Sequence, residues 1–261
     1  MLKAEQIQQF RKNGYLRIPD VLTPDQVRWL RDYFQAKLSL PEEQRLPGDL
    51  DDFLFDIYVR YPEISWLLFH EPTIKILKSL LGDDFVVMRE SVVQLNRFGG
   101  WHKDTTSQEK AGRRFHWDDD FLMIEAAYYL QHNSEEYGGG LDVEPGSHLK
   151  PDPFIGNGSR LEKLRQMTRR LTRRGVSIPS AAGDLVLFHF RINHRATQAR
   201  QPEAARKIGK LAIFSACSKN NNHVLDYYDF LRTRPEYGYL KDASYSAGIL
   251  KQAEDLGVRL M

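Results

Sequence analysis

Two short stretches carry metal-binding residue types at a spacing that would let them share one ion. Trp101-His102-Lys103-Asp104 sets an imidazole and a carboxylate two residues apart, and Ile192-Asn193-His194-Arg195 supplies a second imidazole much later in the chain. On a strand, residues two apart project from the same side. His102 and Asp104 could therefore take adjacent positions on a cation. His194, from a distant strand, would complete a two-histidine, one-carboxylate face with positions left open, a mixed N and O set that suits Fe(II). A second His-x-Asp, His116-Trp117-Asp118, is the rival; it lies in the acidic run Asp118-Asp119-Asp120, a pattern typical of solvated surface. His189, inside the apolar stretch Asp184 to Phe190, reads as a core imidazole hydrogen-bonded to backbone. His148, in Pro145-Gly146-Ser147-His148, reads as a residue that fixes a turn. Arg206 heads a strand that starts twelve residues after His194. It could point inward and hold a carboxylate through two parallel hydrogen bonds, or it could be a surface arginine.

These residues need a scaffold. Ala4 to Lys12 reads as a helix, followed by a short strand over Gly14-Tyr15-Leu16-Arg17-Ile18-Pro19. Thr23-Pro24-Asp25-Gln26 opens a second helix, with Thr as N-cap, Pro at the first helical position and Gln26 placed for a capping box. Its apolar face is Val27, Leu30, Tyr33, Phe34 and Leu38. A further helix covers Glu71 to Leu81 and stops at Gly82. From Phe85 onward the texture changes to short segments rich in β-branched and aromatic residues: Phe85 to Leu95, Phe121 to Gln131, Gly140 to Val143, Asp184 to Phe190 and Lys207 to Ala216. Glycine and proline clusters separate them, which predicts a β-sandwich or barrel. One helical interruption, Arg160 to Arg174, falls among them.

Composition bounds the function. The chain has 261 residues, 41% hydrophobic and 28% charged, enough to bury a sizeable core. Lysine and arginine number 37 against 35 acids, a net charge of +2, which argues against a dedicated nucleic-acid binder. The single cysteine, Cys217, excludes an internal disulfide and any all-cysteine metal site and fits a reducing compartment. Met1 to Gly14 is charged and amphipathic, without a signal-peptide core, and no apolar run reaches the roughly 18 residues of a membrane span. A cytoplasmic, single-domain protein is expected: residues 1–84 a mainly helical flank, 85–216 the β core with an insert near 160–174, and 217–261 a C-terminal flank or lid.

Together these features resemble the phytanoyl-CoA dioxygenase family of Fe(II)/2-oxoglutarate-dependent oxygenases, over most of the chain. The likeness rests on Gly14 to Pro19, Leu22 to Val27, Trp101-His102-Lys103-Asp104, Tyr129-Leu130-Gln131, Gly140 to His148 and the His194…Arg206 pair. The resemblance implies a double-stranded β-helix, a cupin-like jelly roll that is mainly β with flanking helices. It implies that His102, Asp104 and His194 hold Fe(II) and that Arg206 pairs with the distal carboxylate of 2-oxoglutarate. Tyr128 and Gln94 would line the 2-oxoglutarate pocket. Ala196 stands where many members carry a small hydroxyl residue, and the segment Thr105 to Asp120 is long for the family. Asp104 is the carboxylate that halogenating relatives lose. The implied activity is therefore an oxygenation, consuming O2 and converting 2-oxoglutarate to succinate and CO2.

Substrate signals are fewer. In Arg160 to Arg174, Leu161, Leu164, Met167 and Leu171 could form one buried helical stripe, with the arginines solvated or forming a wall for a phosphate, a CoA, an acidic sugar or a lipid headgroup at a membrane surface. The tyrosine-rich stretch from Asp226 to Tyr245 reads either as a lid over a sugar or acyl chain or as ordinary packing. A small-molecule, lipid-linked or carbohydrate substrate, neutral or anionic, is expected. The alternatives are a non-catalytic jelly-roll binding module and a metal-dependent cupin-type enzyme without 2-oxoglutarate. An arginine clamp such as Arg206 favours the 2-oxoglutarate enzyme over both.

Overall fold

The computed structural model describes residues 1–97, 99–112, 122–150, 164, 168, 175–200, 209–234, 237–238 and 244–261. Helix α1 (Ala4–Asn13) ends at Gly14, whose φ of +81° closes the helix in the left-handed region that favours glycine. A Cβ at Gly14 would lie 2.5 Å from His148 Nδ1, so the close approach of the Pro145–His148 turn also needs glycine here. Strand β1 (Tyr15–Ile18) follows. Helix α2 (Pro24–Leu38) begins with the expected capping box: Thr23 Oγ1 accepts from Gln26 N, and Gln26 Oε1 accepts from Thr23 N at 2.9 Å. Val27, Leu30, Phe34 and Leu38 are its buried face. After β2 (Phe53–Phe55) and the short α3 (Ile57–Arg60), α4 (Glu71–Leu81) stops at Gly82 as its sequence predicts.

The β core uses β3 (Val86–Leu95), β4 (Met123–Tyr129), β7 (Leu185–His189) and β9 (Leu211–Ser218). With β1 and β10 (Arg259–Leu260) they form a sheet in the order β1-β7-β4-β9-β3-β10, and β2 pairs with β3. Strands β5 (Leu141–Val143), β6 (Val176–Ile178) and β8 (His194–Ala196) form a smaller antiparallel sheet, in the order β6-β5-β8, that faces it.

Strand periodicity divides the large sheet. Ile124, Ala126 and Tyr128 of β4 and Leu185 and Leu187 of β7 pack against the helical layer with Leu30, Phe34 and Leu77. Ala127, Tyr129, Val186 and Phe188 face the smaller sheet and meet Leu141, Val143 and Ile178. This is the two-layer jelly roll with helices on one side. Each buried Leu or Phe of α2 contributes on the order of 2 kcal/mol through removal of apolar surface from water. Short helix α5 (Thr106–Lys110) follows Asp104, and α6 (Asn222–Arg232) and α7 (Ala247–Leu256) close the chain.

Candidate metal centre

His102 and His194 meet across an antiparallel bridge, each backbone N–H donating to the other's carbonyl oxygen at 2.9 Å. Their ring centroids are 4.3 Å apart. Asp104 Oδ1 lies 3.5 Å from His102 Nε2 and 3.7 Å from His194 Nε2. One ligand atom from each residue falls within 4.8 Å of the others, and among the described residues this is the one such grouping.

The donor set fits a divalent cation for a second reason. His102 Nδ1 lies 2.7 Å from Gly100 O and His194 Nδ1 3.1 Å from Ile192 O. A carbonyl can only accept, so each Nδ1 carries the proton and each Nε2 presents its lone pair to the centre. Burial holds the His194 pKa below its ordinary value, with Asp104 opposing, which favours the neutral form a metal requires. Asp104 Oδ2 is buried with no hydrogen-bond partner. An acceptor left bare costs free energy, and a cation would relieve it.

Two cavities share this centre. The first, of about 460 Å³, is lined by residues that alternate along their strands: Gln94 on β3, Tyr129 on β4, Ala212 and Phe214 on β9, and Ala196 on β8. Lys210, two residues before Ala212, faces the same way and joins the lining. Asn96 fixes its backbone from both sides: Asn96 Oδ1 accepts from Lys210 N at 2.7 Å, and Asn96 N donates to Lys210 O at 2.8 Å. Lys210 Nζ donates to His132 O at 3.2 Å, and its stem packs on Gly139, where a Cβ would come within 2.7 Å of it. Burial lowers the pKa of its ammonium, and Arg31 adds to the effect. Arg97 also lines this cavity but is paired with Asp52 at 3.1 Å.

The second cavity, of about 550 Å³, opens on the other side of Asp104. Phe53, Phe55, Phe190 and Phe214 supply apolar walls, and Glu90, Glu125, Tyr227 and Tyr237 supply polar groups. Tyr227 donates to Glu90 Oε1 at 3.4 Å. Burial pushes the Glu90 carboxyl up to about 8. It holds Glu125 well above the usual carboxylate range, with Asp104 and Glu90 adding repulsion. His102, Asp104, Val92, Glu125 and Phe214 belong to both linings.

Sequence reading is corrected at Tyr128. Its side chain is fully buried on the helical face, with its hydroxyl 2.6 Å from Thr73 Oγ1, and Tyr129 occupies the cavity wall instead. On a strand an error of one residue exchanges the faces. Gln94 and Ala196 line the cavity, and Ala196 brings no hydroxyl to it. His189 is buried, its Nδ1 accepting from Arg191 N at 3.0 Å. His148 ties the turn to α1, Nε2 lying 3.0 Å from Arg11 O. Arg206, His116 and Asp118 lie outside the described residues, as does most of Arg160 to Arg174. Leu164, expected in a buried stripe, is 56% exposed. Sequence reading missed Lys210, Glu90 and Glu125. The available signals were a lysine in phase with Ala212 and Phe214, and carboxylates inside otherwise apolar strands.

A jelly roll carrying a two-histidine, one-carboxylate centre between two cavities defines a non-haem iron oxygenase class. The family model for phytanoyl-CoA dioxygenase (PhyH) matches residues 10–207. The chain belongs to this family of iron- and 2-oxoglutarate-dependent enzymes. No curated protein matches the chain. Among solved structures, the fold is similar to the apo form of EctD from S. alaskensis, with TM-score 0.64 and 19% identity over 84% of this chain and 77% of that one. It is also similar to SnoK, a non-haem α-ketoglutarate-dependent carbocyclase from nogalamycin biosynthesis, with TM-score 0.62 and 20% identity over 84% of each chain. EvdO2 from Micromonospora carbonacea var. aurantiaca, complexed with 2-oxoglutarate, gives TM-score 0.57 and 18% identity over 84% of this chain and 92% of that one.

Proposed function

We propose that the protein couples decarboxylation of 2-oxoglutarate to hydroxylation, or a related C–H oxidation, of a small organic substrate. The observation that carries this reading is the meeting of two separate cavities at His102 and Asp104. Such an enzyme needs one compartment for the co-substrate and another for the C–H bond. When bound, iron(II) with 2-oxoglutarate supplies the oxidising power drawn from O2, releasing succinate and CO2.

The chain's own residues bind and orient. His102, Asp104 and His194 would hold the ion, with the carbonyls of Gly100 and Ile192 fixing ring orientation. Lys210 would take the distal carboxylate of 2-oxoglutarate, with Gln94 and Tyr129 along its length. Arg206 is the family-based proposal for the same carboxylate, and the two cations are separated by titrating a variant of each. Phe188, Phe214 and Val92 keep the space beside the ion apolar, which limits water near the reacting atoms. The second cavity would hold the substrate against the centre, so that its walls select the position oxidised.

The test is succinate release from 2-oxoglutarate under air. Wild-type protein with Fe(II) is expected to form succinate, and Asp104→Ala to form none above the metal-free background. No succinate from the wild type, or equal amounts from Asp104→Ala, would overturn the reading.

A further inference from the structure

The second cavity carries a chemical preference of its own. Glu90 on β3 and Glu125 on β4 both reach it from the interior face of the large sheet, and Oε2 of each is buried without a hydrogen-bond partner. Desolvated carboxyls with no counter-charge keep their protons, as both of these do, and a cation seated on them would let them ionise. The described cations of the lining do not compensate. Lys103 directs Nζ to Ser147 O and Lys150 O, each at 2.8 Å, and Lys110 is exposed at the edge. Tyr227 already spends its hydroxyl proton on Glu90 Oε1. The rest of the wall is aromatic: Phe53 and Phe55, with ring centroids 4.4 Å apart, and Phe190. Rings of this kind accept hydrocarbon surface and, on their faces, a cation.

We infer that this cavity binds an organic amine, its ammonium group on Glu90 and Glu125 and its hydrocarbon part against Phe53, Phe55 and Phe190, and that such an amine is the substrate class. The substrate role rests on the proposed oxygenase reading; the amine site itself does not. An ammonium donates up to three hydrogen bonds to the unpartnered oxygens and brings the positive charge that would let these carboxyls ionise. It would be seated beside Asp104, since Glu125 belongs to both cavities.

The test uses the full chain with Fe(II) and 2-oxoglutarate under anaerobic conditions and three probes of one shape: benzylamine, benzyl alcohol and benzoate. Binding is read by calorimetry, and the iron–2-oxoglutarate charge-transfer absorbance is recorded for each protein, so that loss of the metal site and loss of the amine site are read separately. Benzylamine is expected to bind at least about tenfold more tightly than either counterpart, and the preference should disappear in the Glu90→Gln/Glu125→Gln double variant. Equal or tighter binding of benzoate or benzyl alcohol, no binding of benzylamine, or a preference that survives the double substitution would overturn the inference. An amine preference without any charge-transfer band would support the amine site and count against the cofactor assignment.

Discussion

Replacing Lys210 by methionine tests how the first cavity holds its co-substrate. The substitution keeps an unbranched stem against Gly139 and removes only the charged end. Lys210 is 4% exposed, so a carboxylate paired with it would be little screened by solvent or salt. A hydrogen bond to a charged group contributes about 1.5–3 kcal/mol, and each 1.4 kcal/mol is about tenfold in affinity. The dissociation constant of 2-oxoglutarate is therefore expected to rise by about 10- to 100-fold in Lys210→Met. The assay is anaerobic titration of the Fe(II)-loaded protein, with Fe(II) affinity measured alongside and expected to stay near the wild-type value, because Lys210 touches no ligand of the centre. A change in 2-oxoglutarate affinity of less than about twofold, accompanied by a large loss in Arg206→Ala, would refute the assignment to Lys210 and move the clamp to Arg206.

Two further predictions concern the scaffold. Asp56 and Arg89 form a bidentate ion pair, 1% and 4% exposed, and Asp56 adopts a φ of +46° that asparagine also tolerates. Asp56→Asn should therefore remove the charge that pairs with the Arg89 guanidinium and lower unfolding stability by about 3–5 kcal/mol, with part of the loss restored by adding Arg89→Met. A urea-unfolding loss below about 1 kcal/mol would contradict this. Burial, with His148, Arg191 and Lys103 nearby, holds the His189 pKa well below its ordinary 6.5. The native state thus keeps this ring neutral while the unfolded chain takes up a proton below about pH 6.5. The stability His189 contributes is present above that pH and falls as the medium is acidified, by up to about 1.4 kcal/mol per pH unit. Urea midpoints from about pH 7.5 to 5.5 should show a shallower decline in His189→Asn, and parallel declines would contradict the assignment.

How far the sequence alone reached follows from strand geometry. His102 and Asp104 were legible because two residues apart is the spacing a shared cation needs, and His194 because an apolar strand runs directly to it. The helix at Glu71–Leu81 was legible from its period and its terminal glycine. Tyr128 enters through the family resemblance, and β4 offers little phase to check it: Glu125 apart, one face packs apolar residues on helices and the other on the smaller sheet. Where both faces are buried, alternation vanishes and phase cannot be read. Arg206 and Lys210 both lie an even number of residues before Ala212, so alternation alone does not choose between them; the cavity lining adds Lys210, which immediately precedes β9. Strands β2, β8 and β10 are two or three residues long, too short to carry a period. Glu90 and Glu125 become meaningful once β3 and β4 are seen to aim them into one cavity.

An iron centre held by His102, Asp104 and His194 that takes 2-oxoglutarate as a chelating ligand has a visible signature. Its most direct test is visible absorbance of the Fe(II)-loaded protein as 2-oxoglutarate is added without oxygen, for wild type, His102→Ala, His194→Ala and His116→Ala. A weak metal-to-ligand charge-transfer band is expected in the wild type and His116→Ala and none in the other two. A band that survives in His102→Ala, or its absence from the wild type, would contradict it.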